Sequence, residues 1–181
     1  MESCINKFVI TGGPGTGKST LLYELAKKGF LCFPEASRSI IEEQLQIGGD
    51  LVPWVDMDRF SLACMDRMKE FYKKSSDQPT FFDRGLPDVL GYLYLTGCEE
   101  TQEVVEQVSP FSYHQTVFIL PPWKEIYETD HVRKEPFAEA IELHNHLKRA
   151  YEDLGYNVVE VPHLPVDKRV DYILGSLEIA K

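Results

Sequence analysis

One eight-residue segment near the start of the chain constrains its fold more than any other. Residues 12–19 read Gly-Gly-Pro-Gly-Thr-Gly-Lys-Ser and directly follow the apolar run 7–11. This is the pattern of a phosphate-binding loop, in which a strand enters a turn and a helix leaves it. Glycines let backbone N–H groups converge on phosphate oxygens, and the helix directs its positive dipole end at the same charge. The segment therefore predicts binding of a nucleoside triphosphate.

The loop residues have distinct expected roles. Lys18 is expected to reach the terminal phosphates and to act in catalysis, and the hydroxyl of Ser19 is expected to ligate Mg²⁺. The expected cofactors are thus ATP and Mg²⁺. The residues predicted to bind the nucleotide are Gly12, Gly13, Pro14, Gly15, Thr16, Gly17, Lys18, Ser19 and Thr20.

Composition limits the class of protein. The chain has 181 residues, of which 43% are hydrophobic, so we expect a single domain over residues 1–181 with a substantial core. A formal net charge of −10 argues against nonspecific binding to nucleic acid or to an anionic membrane. No apolar run approaches about 18 residues, and no export signal begins the chain, which favours a cytoplasmic protein. The oligomeric state stays open, a homodimer included.

The four cysteines are far apart and form no C-x-x-C pair, so they predict buried free thiols in a reducing compartment. They are Cys4, Cys32, Cys64 and Cys98.

Short β-rich runs alternate with helical patterns along the chain. This alternation predicts βαβ units, a parallel sheet with helices on both faces, and ligands beyond the carboxyl ends of the strands. The predicted strands are 7–11, 30–33, 80–82, 115–120 and 157–161. The predicted helices are 17–28, 37–47, 56–74, 86–95, 101–108, 123–128, 136–154 and 166–179.

Asp83 emerges where the third apolar strand ends. Beside a phosphate-binding loop, a carboxylate at that position is expected to orient Mg²⁺, directly or through a metal-bound water, and so to act in catalysis. The alternative is a helix cap or Asx turn before Leu86, and both roles can coexist. Arg84, which follows, is expected to bind substrate.

Glu35 and Arg38 follow the second strand. A glutamate there would face the acceptor of the phosphoryl group and could take a hydroxyl proton as the catalytic base. Arg38 could hold an anionic or phosphorylated acceptor, so both residues are predicted to bind substrate. The alternative is a helix-start carboxylate beside a solvated arginine.

The polar segment 123–135 follows the fourth strand. It could close over the phosphates as a lid and deliver Arg133 to the developing charge, or it could be an ordinary solvated loop. His144 and His146 lie two residues apart on a predicted helix and face different ways, so we reject a metal pair there.

Taken together, these features resemble those of a known family. The phosphate loop, Glu35 with Arg38, the helix carrying Asp58, Asp83, and the segment from Asp130 to Arg133 are similar to the predicted ATPases and kinases that carry an AAA domain. These include the ribosylnicotinamide kinase domain of bacterial NAD-biosynthesis proteins and, more distantly, nucleoside and nucleotide kinases.

The resemblance implies a P-loop NTPase fold of the nucleoside-kinase type, a three-layer α/β sandwich around a five-stranded parallel sheet. It also implies ATP with Mg²⁺, a lid arginine at Arg133, and adenine against the loop 162–167. A true AAA+ ATPase would carry a helical lid domain, sensor segments and an arginine finger, none of which can be located in this short chain. Only the phosphate loop is a specific motif, and residues 48–56 and 84–100 depart from the sequences of the kinase domains. The resemblance therefore does not imply the identity of the phosphoryl acceptor.

Two classes of function therefore stand. The first is a kinase that transfers the γ-phosphoryl group of ATP to a hydroxyl of a nucleoside-like or other small acceptor. The alternative is a regulatory or switch ATPase or GTPase that acts through a protein partner. Glu35, Arg38 and Arg133 favour the kinase, since a phosphotransferase needs an acceptor pocket and a lid that excludes water.

Overall fold

The computed structural model of the chain describes residues 6–75, 77–97, 102–126 and 137–179. The strands are β1 (Lys7–Thr11), β2 (Leu31–Phe33), β3 (Thr80–Asp83), β4 (Thr116–Ile119) and β5 (Asn157–Glu160). The helices are α1 (Lys18–Lys27), α2 (Ala36–Ile47), α3 (Met57–Lys74), α4 (Asp88–Leu95), α5 (Gln102–Val108), α6 (Phe137–Asp153) and α7 (Val166–Ser176), with a short 3₁₀ helix at Lys124–Ile126.

The strands form one parallel sheet in the order β2-β3-β1-β4-β5. This confirms the predicted five-stranded α/β architecture. Strand β1 lies at the centre, between β3 and β4, so the loop that follows it emerges in the middle of the carboxyl edge. In register, Ile10 of β1 pairs with Asp83 of β3, which brings the end of β3 beside the start of the loop.

Helices cover both faces of the sheet, which explains why the strands read as apolar runs without alternation. Successive residues of a strand point to opposite faces. Phe8 and Ile10 pack with α1 and α7, whereas Val9 packs on the other face with residues of α3, α4 and α6. Solvent is excluded from the centre of the core, since Val9 and Ile10 are both 0% exposed.

Several helices differ in detail from the sequence prediction, and α7 ends at Ser176, three residues earlier than predicted. Helix α4 begins at Asp88, two residues later than predicted, because 85–87 form a turn. The apolar periodicity of α6 predicts a shared face of Phe137, Ile141, His144, Leu147, Tyr151 and Leu154. His144, Leu147 and Tyr151 are buried, whereas Ile141 is 45% exposed. Leu143 is buried instead, and Gly91 of α4 packs directly on Leu147.

The thiols of Cys32 and Cys64 are free, as predicted, although both are only partly buried. Burial raises the pKa of Cys32 to about 12 and that of Cys64 to about 11, so neither is a reactive thiolate near neutral pH. Cys4 and Cys98 lie outside the described residues. Among the helices of the described ranges, none has the length and apolar character needed to cross a bilayer.

Candidate active site

The loop between β1 and α1 has a backbone that only glycine permits. Gly12 has φ 136°, and a Cβ placed on it would lie 2.5 Å from the carbonyl oxygen of Leu120. Gly15 and Gly17 also have positive φ, at 77° and 86°. The spacing of glycines that identified the motif is therefore imposed by backbone conformation and by close contact with the end of β4.

Lys18 lies folded across this loop. Its Nζ donates to the carbonyl oxygens of Gly12 at 2.9 Å and of Gly13 at 2.8 Å. Burial lowers the pKa of Lys18 to about 8, the positive charge of Arg84 acts in the same direction, and Asp83 opposes both. A buried ammonium bonded only to neutral carbonyls is poised to exchange them for phosphate oxygens.

A cavity of about 310 Å³ opens beside the loop, and we call it the phosphate cavity. It is lined by Pro14, Gly15, Gly17, Lys18, Ser19, Thr20, Glu35 and Arg38. Six of these eight residues were predicted to bind nucleotide. Arg38, predicted as an acceptor ligand, lies on this side and is exposed.

Asp83 and Ser19 line one neighbouring cavity of about 320 Å³. Asp83 is 4% exposed, and its Oδ1 is buried with no hydrogen-bond partner among the described residues. Burial raises the pKa of Asp83 to about 6; Lys18 opposes this shift and Glu35 adds to it. Helix α4, which follows, has no side-chain cap at its start, and the carboxylate that accepts from the Gly85 N–H, at 3.0 Å, is that of Asp88.

A buried carboxylate oxygen without a partner, in a cavity that a serine also lines, fits a Mg²⁺ ion that arrives with a nucleotide, because Mg²⁺ takes few protein ligands and keeps phosphate oxygens and waters. In the described ranges no group of three or more His, Cys, Asp or Glu side chains forms a dedicated metal site.

Glu35 precedes α2 but makes no side-chain cap there. Its Oε1 instead accepts from Arg84 Nε at 3.2 Å and from Ser37 Oγ at 2.9 Å. Burial alone would raise the pKa of Glu35, yet the charges of Arg84 and Lys18 prevail and lower it to about 2. Glu35 is therefore ionised throughout the neutral range.

Arg84 is held by a buried network that the sequence did not reveal. Its backbone has φ 71°, and its Nη1 donates to Asp88 Oδ1 at 3.0 Å. The same carboxylate accepts from Thr11 Oγ1 at 2.5 Å and from the hydroxyl of Tyr151. A left-handed backbone conformation at a residue other than glycine costs about 1 to 3 kcal/mol of folding free energy. It persists only where the surrounding structure holds it, as this network holds Arg84.

A third cavity, of about 230 Å³, lies between α2, α3 and α4, and we call it the acceptor cavity. Glu35 lines both this cavity and the phosphate cavity. The other lining residues are Ala36, Ser37, Met57, Phe60, Ser61, Cys64, Met68, Arg84, Asp88, Val89 and Tyr92.

On the opposite side of the loop, Arg169 of α7 donates from Nη1 to the carbonyl oxygen of Thr16 at 3.2 Å. Its guanidinium lies 5.6 Å from the ring of Trp123, which stacks on His163 with ring centroids 4.9 Å apart. The predicted adenine loop 162–167 thus contacts the start of the predicted lid. Arg133 and the rest of that lid, 127–135, lie outside the described residues.

The AAA domain family matches residues 7–169 of the chain. The chain belongs to this AAA domain family. No curated protein matches the sequence.

Solved structures share this fold at low sequence identity, and several of them are small-molecule kinases. Deoxyadenosine kinase from M. mycoides with bound dATP superposes with a TM-score of 0.62 at 18% identity, covering 95% of this chain and 99% of that one. NadR protein in complex with NAD and AMP-PNP gives a TM-score of 0.71 at 16% identity, and the chain spans 51% of its length. Shikimate kinase from Aquifex aeolicus gives 0.58 at 16% identity, covering 95% and 96% of the two chains. These likenesses confirm the P-loop kinase fold.

Proposed function

We propose that this AAA domain protein is an ATP- and Mg²⁺-dependent kinase that phosphorylates a hydroxyl group of a small acceptor. The observation that carries the proposal is the position of Glu35, which lines the phosphate cavity and the acceptor cavity at once. A hydrolase needs room for one water beside the phosphates, whereas a transferase needs a second cavity that opens onto them. The kinases that share the fold support the same conclusion.

The triphosphate occupies the loop, and Lys18 exchanges the carbonyls of Gly12 and Gly13 for phosphate oxygens. Arg38, exposed at the rim of the phosphate cavity, contacts the phosphates. Ser19 and Asp83 would hold Mg²⁺, which would supply positive charge to the phosphates. Adenine lies against the loop 162–167, near Arg169.

In the transfer step, the acceptor hydroxyl oxygen bonds to the γ-phosphorus and the bond to the β–γ bridging oxygen breaks, so that ADP leaves. The hydroxyl proton passes to Glu35. With a pKa of about 2, Glu35 is a weak base before ATP binds. Phosphoryl transfer has a loose transition state, so the proton leaves late, and the first task of Glu35 is to orient the hydroxyl.

Two arginines complete the proposed machinery. Arg84 positions Glu35 through their 3.2 Å contact. Arg133, in the predicted lid 123–135, stabilises charge on the transferred group once the lid closes.

The test is a set of three measurements on Glu35→Gln: ATP affinity, transfer of labelled phosphate to a panel of hydroxyl compounds, and basal ATP hydrolysis. We expect transfer to fall by about 10² to 10⁴, because the side chain can no longer take the proton, with ATP affinity and hydrolysis retained. The matched control is Glu42→Gln on the exposed part of α2, which should leave all three unchanged. Loss of hydrolysis without any transferable acceptor would instead establish a switch ATPase.

A further inference from the structure

The acceptor cavity carries an unusual balance of charge. Among the described residues, its charged side chains are Glu35, Arg84 and Asp88. Arg84 donates from Nε to Glu35 at 3.2 Å and from Nη1 to Asp88 at 3.0 Å. The formal charge of the lining is thus −1, and the guanidinium of Arg84 is already bound by two carboxylates.

The phosphate cavity has the opposite character. Lys18 and Arg38 both line it, together with the single carboxylate of Glu35. Arg38 is absent from the described lining of the acceptor cavity. Glu35 therefore divides a positive compartment, suited to a triphosphate, from a negative compartment.

Away from these charges, the acceptor cavity is apolar and partly aromatic. Apolar and sulfur-bearing side chains of this kind favour a planar ring with π-electrons. They are Met57, Phe60, Cys64, Met68, Val89 and Tyr92. The volume of about 230 Å³ is below the range of about 300 to 1,000 Å³ found for drug-sized ligands, which indicates a compact molecule.

We infer that the acceptor is an uncharged or cationic hydroxyl compound with a planar ring, of the nucleoside class, and not a phosphorylated or carboxylated one. The inference rests on the proposed kinase function. An anionic group in this cavity would meet the carboxylate of Glu35 and a lining of net negative charge, while the guanidinium of Arg84 stays engaged, which selects against it. The hydroxyl of a nucleoside can instead donate to Glu35, and from there attack the γ-phosphorus of ATP with release of ADP.

The experiment compares matched acceptors that differ only by a phosphate. Adenosine, thymidine and a cationic pyridinium riboside are each measured beside the corresponding 5′-monophosphate, for transfer from ATP and for calorimetric binding. We expect kcat/KM to be at least about 10-fold higher for the member without the phosphate. Equal or better transfer to the monophosphates overturns the inference and leaves the kinase function standing.

A charge placed in the cavity should reverse this preference. Ser61 lines the cavity from α3, whereas the adjacent Leu62 does not line it and is 60% exposed. Ser61→Arg should reduce the preference for the nucleoside by about 10-fold or more, and Leu62→Arg should leave it unchanged. An unchanged preference in Ser61→Arg contradicts the argument from charge.

Calorimetry separates this inference from the proposed function. If no acceptor is phosphorylated, the kinase function fails, but the binding ratio still reports the selectivity of the cavity. Nucleosides bound at least about 10-fold more tightly than their monophosphates would support the inference. Equal binding of the two, or binding of neither, would overturn it.

Discussion

Replacing Asp83 by asparagine should stabilise the protein in the absence of ligand while impairing its use of Mg²⁺. Burial raises the pKa of Asp83 from an ordinary 3.8 to about 6. At about 1.4 kcal/mol per pKa unit, ionising this carboxyl above pH 6 costs the folded state about 3 kcal/mol relative to the unfolded chain. The asparagine side chain would carry no charge but would still leave a buried polar group, so we expect a net gain of about 1 to 3 kcal/mol.

The pH dependence has a definite sign. Because the pKa is higher in the folded state, the folded protein binds more protons between pH 3.8 and 6, and the contribution of Asp83 to stability falls as pH rises through that window. The asparagine variant lacks this loss. The difference in Tm between variant and wild type should therefore be smallest near pH 4 and reach roughly 3 to 10 °C above pH 7.

The control is the same substitution five residues away. Asp88 accepts hydrogen bonds from Thr11, Arg84, Gly85 and Tyr151, so Asp88→Asn leaves a buried guanidinium with one carboxylate fewer. We expect it to destabilise the fold by about 3 kcal/mol.

Thermal unfolding of wild type and both variants from pH 4 to pH 8 provides the measurement, with a second series in ATP and Mg²⁺. At 100 times Kd, the nucleotide should stabilise wild type by about 2.7 kcal/mol, and the Mg²⁺-dependent part should vanish in Asp83→Asn. A lower Tm for Asp83→Asn at pH 8, or an intact response to Mg²⁺, would refute the argument.

Three further predictions concern the loop and the lid. Lys18→Met should keep the fold and lose ATP affinity. In wild type, ATP affinity should fall by up to about 10-fold per pH unit above pH 8, because Lys18 loses its proton there in the free protein. Calorimetric titration with ATP measures both effects. Gly12→Ala should cost roughly 3 kcal/mol or more in denaturant unfolding because of the contact with Leu120, whereas Gly155→Ala, with φ 84° and no atom within 4 Å, should cost only about 1 to 2 kcal/mol. Arg133→Ala should lower kcat by about 10³ and leave ATP binding unchanged, whereas an unaltered kcat would make the segment an ordinary loop.

The fold was predictable because its determinants are local. Each strand is a short apolar run, and each helix has periodic apolar positions with a stop signal such as Gly155. The exposure of Ile141 on α6 shows the limit of that reasoning. Which residues at the margin of an amphipathic face are buried depends on the partner helix, here α4, whose Gly91 packs on Leu147.

The same distinction holds for the site. Parallel strands end at one edge, so the approach of Glu35, Asp83 and the loop could be predicted from their positions after strands. The hydrogen-bond network that holds Arg84 through Asp88 could not be predicted, because Thr11 and Tyr151 lie 77 and 63 residues from Asp88 along the chain. A signal was present nonetheless, since Asp88 begins the otherwise apolar helix Asp-Val-Leu-Gly-Tyr-Leu-Tyr-Leu. Where such a carboxylate is buried, it requires donors.

Asp83 ends β3 and Glu35 follows β2, and the pKa values of the two carboxyl groups are displaced in opposite directions. The pKa is about 6 for Asp83 and about 2 for Glu35. Environments that separate two neighbouring acids usually assign them different tasks. The Oδ1 atom of Asp83 has no hydrogen-bond partner among the described residues, and a Mg²⁺ ion brought by ATP would supply one more positive charge beside it. Glu35 already has Arg84, and the arrival of a triphosphate on Lys18 would offset one of the positive charges that hold its pKa down. ATP binding would therefore favour the ionised form of Asp83 and make Glu35 a stronger base, so the site becomes competent for transfer only when the nucleotide is in place.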